Sequence, residues 1–191
     1  MRDRHGGRHS VKRALWAIHG SQCAAWVMRV VTLALVVLGT TASGGPPLRP
    51  DPQLTPGATL EVTTADICVP GYTKKVRDVP DSVKQQVYAA YGIQTHAPRA
   101  YEIDHLIPLE LGGSNALTNL WPQSYQTQPW NAHVKDRLEN ELHRLVCAGQ
   151  LPLDTAQRDI ATDWIAAYQA YFHTDRPLAQ TPARSRKRRA E

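Results

Sequence analysis

The stretch "YEIDHLIPLELGGSNALTNLWP", Tyr101–Pro122, decides how the chain is read. Its first residues alternate, which places Tyr101, Ile103 and His105 on one face of a strand and Glu102, Asp104 and Leu106 on the other. Gly112 and Gly113 mark a turn, and Asn119 follows close enough to return to the strand. Asp104 and His105 are neighbours on a strand, so their side chains leave in opposite directions and cannot simply pair. One arrangement uses both: the carboxylate holds a hard cation through oxygen while the imidazole draws a proton from a water. Together they would serve a metal-assisted attack on a phosphodiester. The Asn119 amide is suited to holding the histidine or its loop in place.

Three helices are expected around this strand. "DSVKQQVYAAYG" has Asp81 as its N-cap, Val83, Val87 and Tyr88 on one side and Gly92 as its stop. "PWNAHVKDRLENELHRLVCAG" reads as a helix from Pro129 to Cys147, ended by Gly149. "LDTAQRDIATDWIAAYQAY" spaces Ile160, Trp164, Tyr168 and Tyr171 as one apolar face. Upstream, "ATLEVTTADICVPGYTKKVRDVP" offers short β-prone runs broken by Pro and Gly, and is read as strands or extended loops. The expected fold class is a small α+β domain.

The ends of the chain read differently. Residues 1–43 place basic residues before the apolar run "VVTLALVVL" and small residues after it, the order of a signal peptide. Such a segment implies an exported protein, secreted or held in the cell envelope, and a membrane anchor if it is not cleaved. The apolar run is shorter than the roughly 20 residues that span a bilayer, so no stable insertion is expected after cleavage. Residues 44–59 are Pro- and Gly-rich and read as a linker, residues 60–173 as the domain, and residues 174–191 as a disordered basic tail. The whole chain carries +5, but residues 43–183 hold 11 Lys and Arg against 15 Asp and Glu, a net of −4. Net charge therefore gives no ground for a basic nucleic-acid-binding face on the folded domain, and any such site has to be local.

Cys23 falls in the signal segment, which leaves Cys68 and Cys147 as an even pair in an exported domain, and a disulfide between them is expected. Closing a loop of that length stabilises a fold by roughly 2–4 kcal/mol, through restriction of the unfolded chain.

Taken in order and spacing, these residues resemble the HNH endonuclease family, the ββα-metal nucleases. Tyr101–Pro108 matches the family's first strand with its Asp-His pair, Gly112-Gly113 its turn, and "NLWP" from Asn119 its middle Asn element. "CVPGYTKKVR" before the strand and "KDRLENELHRLVC" after it look like an exported bacterial branch, so the similarity spans about residues 64–171. The resemblance implies a ββα core, His105 as general base, Asp104 as metal ligand, and Asn119 as the residue that orients the histidine and braces the loop. It further implies a divalent metal, Mg²⁺ or Mn²⁺, and DNA as substrate with RNA as a further candidate. The CxxC pairs that often bind zinc in this family are absent, so no structural zinc is expected.

A helix residue should complete the metal site, and two compete. Helical spacing puts Asn131, Lys135, Leu138, Leu142 and Leu145 on one face, with His133 about 150° from its centre. If that face meets the strand, Asn131 points at the metal; His133 has the better ligand chemistry. Asp136 and Glu139 are acidic alternatives. Lys135, Arg137 and Arg99 are candidates for phosphate contacts. Glu110 is positioned to steady the turn, Trp121, Trp130 and Trp164 read as core, and His96 and His143 have no assigned task. With no reader motif beside it, the expected activity is cleavage of low sequence specificity. The alternative is a secreted, disulfide-tied binding module on an inactive HNH scaffold.

Overall fold

The computed structural model describes residues 47–179. The signal-segment reading, Cys23 and the basic run after residue 179 lie outside the described residues. Chain order is α1 (Thr64–Ile67), α2 (Tyr72–Val76), α3 (Asp81–Ala90), β1 (Tyr101–His105), β2 (Leu120–Ser124), α4 (Ala132–Cys147) and α5 (Leu153–Phe172), with 3₁₀ turns at Leu109–Leu111 and Leu117–Asn119 between the strands. The domain is α+β. Its sheet is a two-stranded antiparallel pair with Asp104 opposite Trp121 and His105 opposite Leu120. A hairpin this small is marginal alone and needs cover from helices. The core supplies it: Leu138, Leu142 and Val146 of α4 pack with Ile160, Trp164 and Tyr168 of α5 and with Ile107 and Leu111 of the inter-strand loop. Trp130 meets Trp164 and Tyr168 edge to face, and Trp121 is fully buried.

The two glycines of the turn have separate causes. Gly112 sits at φ +76, a left-handed conformation that side chains resist, and a Cβ there would come within 2.5 Å of Val62. A Cβ on Gly113 would lie 1.8 Å from the Ile107 carbonyl oxygen and 2.9 Å from Asn119 Nδ2. Gly112 is thus required by its backbone conformation and by the packing of Val62, and Gly113 by the close packing of the loop on itself.

Four expectations need correction. The segment read as strands or extended loops forms the short helices α1 and α2. Its first turn is closed by Thr63 and Asp66, whose carboxylate accepts from the Thr63 amide at 2.8 Å and hydroxyl at 2.6 Å, and among the described residues no strand pairs with that backbone. Residues 47–59, read as linker, are packed on the domain. The Gly57 and Leu60 amides donate to Thr118 and Gly112, Thr55 is buried with its hydroxyl on the Leu120 carbonyl, and Arg49 forks onto Asp163 with two 2.9 Å bonds. The long α4 helix starts at Ala132 rather than Pro129, because Asn131, in extended backbone, is its N-cap. Finally, residues 174–179 of the expected tail fold back: the Tyr168 hydroxyl accepts from the Leu178 amide at 3.1 Å, and the Leu178 carbonyl accepts from Arg137 at 2.7 Å.

Cys68 and Cys147 form a disulfide with Cα atoms 5.7 Å apart, fastening the end of α1 to the end of α4. Among the described residues no helix is long and apolar enough to cross a membrane.

Candidate functional site

Strand β1 divides its two chemical residues as alternation requires. His105 goes to the side of the loop and α2, and is 3% exposed. Its Nε2 lies 3.0 Å from Asn115 Oδ1, while Asn115 Nδ2 donates to the Val76 carbonyl at 2.8 Å. The second contact fixes the first. An amide whose nitrogen is spent on a carbonyl must offer its oxygen to the ring, so Nε2 carries the hydrogen and Nδ1 keeps its lone pair. Nδ1 has no protein partner among the described residues. Burial pushes the imidazole below its ordinary range, with the Asn115 bond and Asp104 acting against the shift and nearby Arg77 adding to it. The histidine is therefore neutral at neutral pH, the form a general base needs.

Asn119 does not touch the imidazole. It is fully buried, its Oδ1 accepts from the Ile107 amide at 2.9 Å, and its Nδ2 donates to the Ile107 and Ser114 carbonyls at 2.9 Å. Its own carbonyl accepts from the Leu106 amide. It braces the loop and holds the backbone just after His105; ring orientation falls to Asn115, which spacing alone did not single out.

On the other face Asp104 meets α4. The Lys135 ammonium is fully buried and donates to Asp104 Oδ2 at 2.7 Å, to the His105 carbonyl at 2.7 Å and to Glu139 Oε1. Lys135 is thus no phosphate contact. Burial would lower its pKa, but Asp104 and Glu139 overcome that and hold it charged. Burial pushes Glu139 up to about 8, against the pull of Lys135 and with Asp104 reinforcing the rise. Glu102, two residues before Asp104 and on the same face, accepts from the Tyr125 hydroxyl at 2.7 Å through Oε2. Desolvation and the charge of Asp104 raise its carboxyl, and the same two causes raise Asp136. Four carboxylates therefore crowd around one ammonium.

Neither helix candidate behaves as a ligand aimed at Asp104. Asn131 is buried and its amide is spent: Oδ1 accepts from the Val134 amide at 3.2 Å and Nδ2 donates to the Thr127 carbonyl at 3.3 Å. That is an N-cap, satisfying a helix-end donor that would otherwise be lost. His133 is 56% exposed, stacks on Tyr125 at 5.1 Å and lies 3.8 Å from Asp136. Of the basic candidates, Arg137 turns to Leu178 and the Phe172 ring, whereas Arg99 lines a cleft with Tyr125 and His133. Near the histidine the exposed basic residue is Arg77, at the end of α2, with Lys74 and Lys75 exposed on the same helix. Glu110 keeps a buried Oε1 without a partner, His96 stacks between Tyr88 and Tyr101, and His143 Nε2 sits 3.2 Å from the Ile67 carbonyl and 3.3 Å from Cys147 Sγ.

The acidic face suits a hard cation in part. Glu102 Oε1 is buried with no hydrogen-bond partner among the described residues, and burial followed by the charge of Asp104 raises Glu102 and Asp136, a cost to the ionised carboxylates that a bound cation would relieve. The donors do not converge as a closed cage: among the described residues only Cys68, His143 and Cys147 bring three potential ligand atoms within 4.8 Å of one another, and two of those are disulfide sulfurs. Oxygen donors on one or two carboxylates, with water completing the shell, are what Mg²⁺ and Mn²⁺ accept. No family model, curated protein or solved structure matches the chain.

Proposed function

We propose that this chain is a metal-dependent endonuclease of the HNH kind, hydrolysing phosphodiester bonds in DNA, with RNA as a further substrate, at low sequence specificity. The observation that carries the reading is the His105–Asn115–Val76 relay, which presents a neutral imidazole with Nδ1 free, on the residue next to an anionic carboxylate. The antiparallel pair β1–β2 followed by α4 is compatible with a ββα core.

In this mechanism His105 Nδ1 takes the proton of the attacking water, and the ring's other nitrogen stays bonded to Asn115 as charge develops. Asn119 and Lys135 fix the backbone on either side of that ring, one through Ile107 and the other through the His105 carbonyl. Asp104 and Glu102 are the residues that would hold the ion, with Asp136 as the contribution from α4. When bound, the ion would polarise the scissile phosphate and stabilise the leaving oxygen. Arg77, at the end of the helix that also carries Lys74 and Lys75, gives the histidine side the local positive charge that a polyanionic substrate needs on a domain of net negative charge. We place the protein outside the cytoplasm, on the signal-like segment and the disulfide.

The test is plasmid cleavage by the purified protein with Mg²⁺ or Mn²⁺, compared with His105→Ala. Loss of about 10²–10⁴-fold is expected for removing a general base, and equal rates would sink the assignment. A second reading, a binding module on an inactive scaffold, draws on the Lys135 ammonium seated against Asp104 Oδ2. Calorimetry showing no divalent-ion uptake, together with absent cleavage, selects it.

A further inference from the structure

Beside the acidic face lies a cleft of about 430 Å³ lined by Arg99, Tyr125 and His133. Its three residues come from different places in the chain: the loop before β1, the residue after β2, and the first turn of α4. Tyr125 is held by two bonds, its amide donating to the Ala100 carbonyl at 3.1 Å and its hydroxyl to Glu102 at 2.7 Å. Its ring lies 5.1 Å from that of His133, tilted by 35°, so the two form one continuous aromatic wall. Arg99 is exposed and has no hydrogen bond or ion pair among the described residues. It also sits at φ +61, where an arginine is strained. That φ belongs to the turn Ala97–Ala100, closed by the Ala100 amide on the Ala97 carbonyl at 3.1 Å, and the turn sets an exposed guanidinium at the cleft.

We propose that this cleft is a nucleotide subsite, stacking an unpaired base on Tyr125 and His133 and binding its phosphate through Arg99. The proposal rests on the nuclease reading and names the part of the substrate next to the reacting bond. Aromatic faces receive any base, because every base offers a π-face, and a lone guanidinium pairs with phosphate oxygens. The Tyr125 hydroxyl is bonded to Glu102 and His133 lies near Asp136, so the wall of the cleft is also the edge of the carboxylate cluster. A strand seated with its base in the cleft therefore runs its backbone toward Asp104. A paired base cannot enter without leaving its stack, so the subsite selects single-stranded, frayed or flexible positions over intact duplex.

The experiment uses the full chain carrying His105→Ala, so that binding is read without cleavage. Short single strands containing 2-aminopurine are titrated at fixed salt, alongside the same strand with an abasic position and the same sequence as duplex. Quenching of 2-aminopurine and binding in the order single strand, then abasic strand and duplex, are expected. Tyr125→Leu should weaken single-strand binding about ten- to a hundredfold and leave the abasic strand little changed, whereas Tyr125→Phe, which lacks the hydroxyl but keeps the ring, should bind like the parent. Arg99→Gln should weaken normal and abasic strands alike and flatten the salt dependence. Should Tyr125→Leu fold poorly, His133→Leu on the exposed side of the wall gives the same comparison. Equal binding of normal and abasic strands, or Tyr125→Leu matching the parent, overturns the subsite. A failure of the nuclease reading appears separately, as absence of plasmid cleavage by the unsubstituted chain.

Discussion

Replacing Lys135 with methionine removes one ammonium and keeps most of its stem, so it isolates the charge. The structure defines what is lost. All three ammonium hydrogens have acceptors, Asp104 Oδ2 at 2.7 Å, the His105 carbonyl at 2.7 Å and Glu139 Oε1. Lys135 is completely buried, and the two carboxylates are only 15% and 14% exposed. Removing one partner from a buried ionic group costs roughly 3–5 kcal/mol, because the surviving charges stay desolvated. Glu139 moderates this: already raised to about 8, it takes a proton at neutral pH and leaves Asp104 as the main stranded charge. The expected loss is therefore near the lower end, about 3 kcal/mol, out of roughly 5–15 kcal/mol for a typical domain. Urea unfolding followed by fluorescence of the buried tryptophans measures it, with the wild-type slope serving as a check that the unfolded state is unchanged. Adding Asp104→Asn to Lys135→Met should recover part of the loss, because it removes the stranded charge. A loss below about 1 kcal/mol, the scale of an exposed ion pair, would refute the view that this ammonium neutralises buried charge.

Glu139 also predicts a pH dependence. Its folded pKa stands above the ordinary 4.5, at about 8, so the folded state holds a proton that the unfolded chain gives up. Its stabilising contribution is complete below pH 4.5 and is lost as pH rises through about 8. Glu139→Gln should flatten the fall in stability across that window, measured by urea titrations at several pH values. Asn115→Ala removes the bond that raises the His105 pKa, so the acid limb of the cleavage profile should move to still lower pH, with kcat down about 10- to 100-fold from a freed ring. Cys68→Ser with Cys147→Ser should cost roughly 2–4 kcal/mol in the same urea assay, given a loop of 79 residues. Gly113→Ala should fail to give soluble folded protein, since its Cβ would overlap the Ile107 carbonyl at 1.8 Å; a folded variant of wild-type stability would contradict the loop packing.

How much of this was legible in the residues depends on how local each cause is. The β1 alternation, the Gly112-Gly113 turn and the bracing by Asn119 are set within 20 residues of one another, and all follow from strand period and turn chemistry. The capping pair Thr63 and Asp66 was also readable, and would have argued for a helical turn where β-prone residues suggested strands. Asn115 was not, because its role depends on the Val76 carbonyl 39 residues away. Proline content marked residues 44–59 as lacking regular structure, which is a different matter from lacking a packing partner: Thr55 is buried against β2 and Arg49 against α5. Helical spacing did put Lys135 on the inner face with Leu138 and Leu142. Its charge then suggested phosphate, although a lysine four residues before a glutamate on a buried face has a nearer partner in Glu139.

Lys135 also bears on why the acid and the base are adjacent in sequence. Alternation separates Asp104 and His105 to opposite faces, so no side-chain contact can keep their relative positions. One ammonium spans the difference, because it bonds the carboxylate of the first residue and the backbone carbonyl of the second. Asn119 then secures the next backbone groups through Leu106 and Ile107. The pair is thereby held through its main chain, with the imidazole ring left free to be aimed by Asn115 alone. A consequence separates the two helpers. Loss of Lys135 should disturb Asp104 and His105 together and lower stability, whereas loss of Asn115 should alter the pH profile and kcat while the unfolding midpoint moves little. Should Asn115→Ala and Lys135→Met prove alike in both readouts, this division between a main-chain clamp and a ring-orienting amide would be wrong.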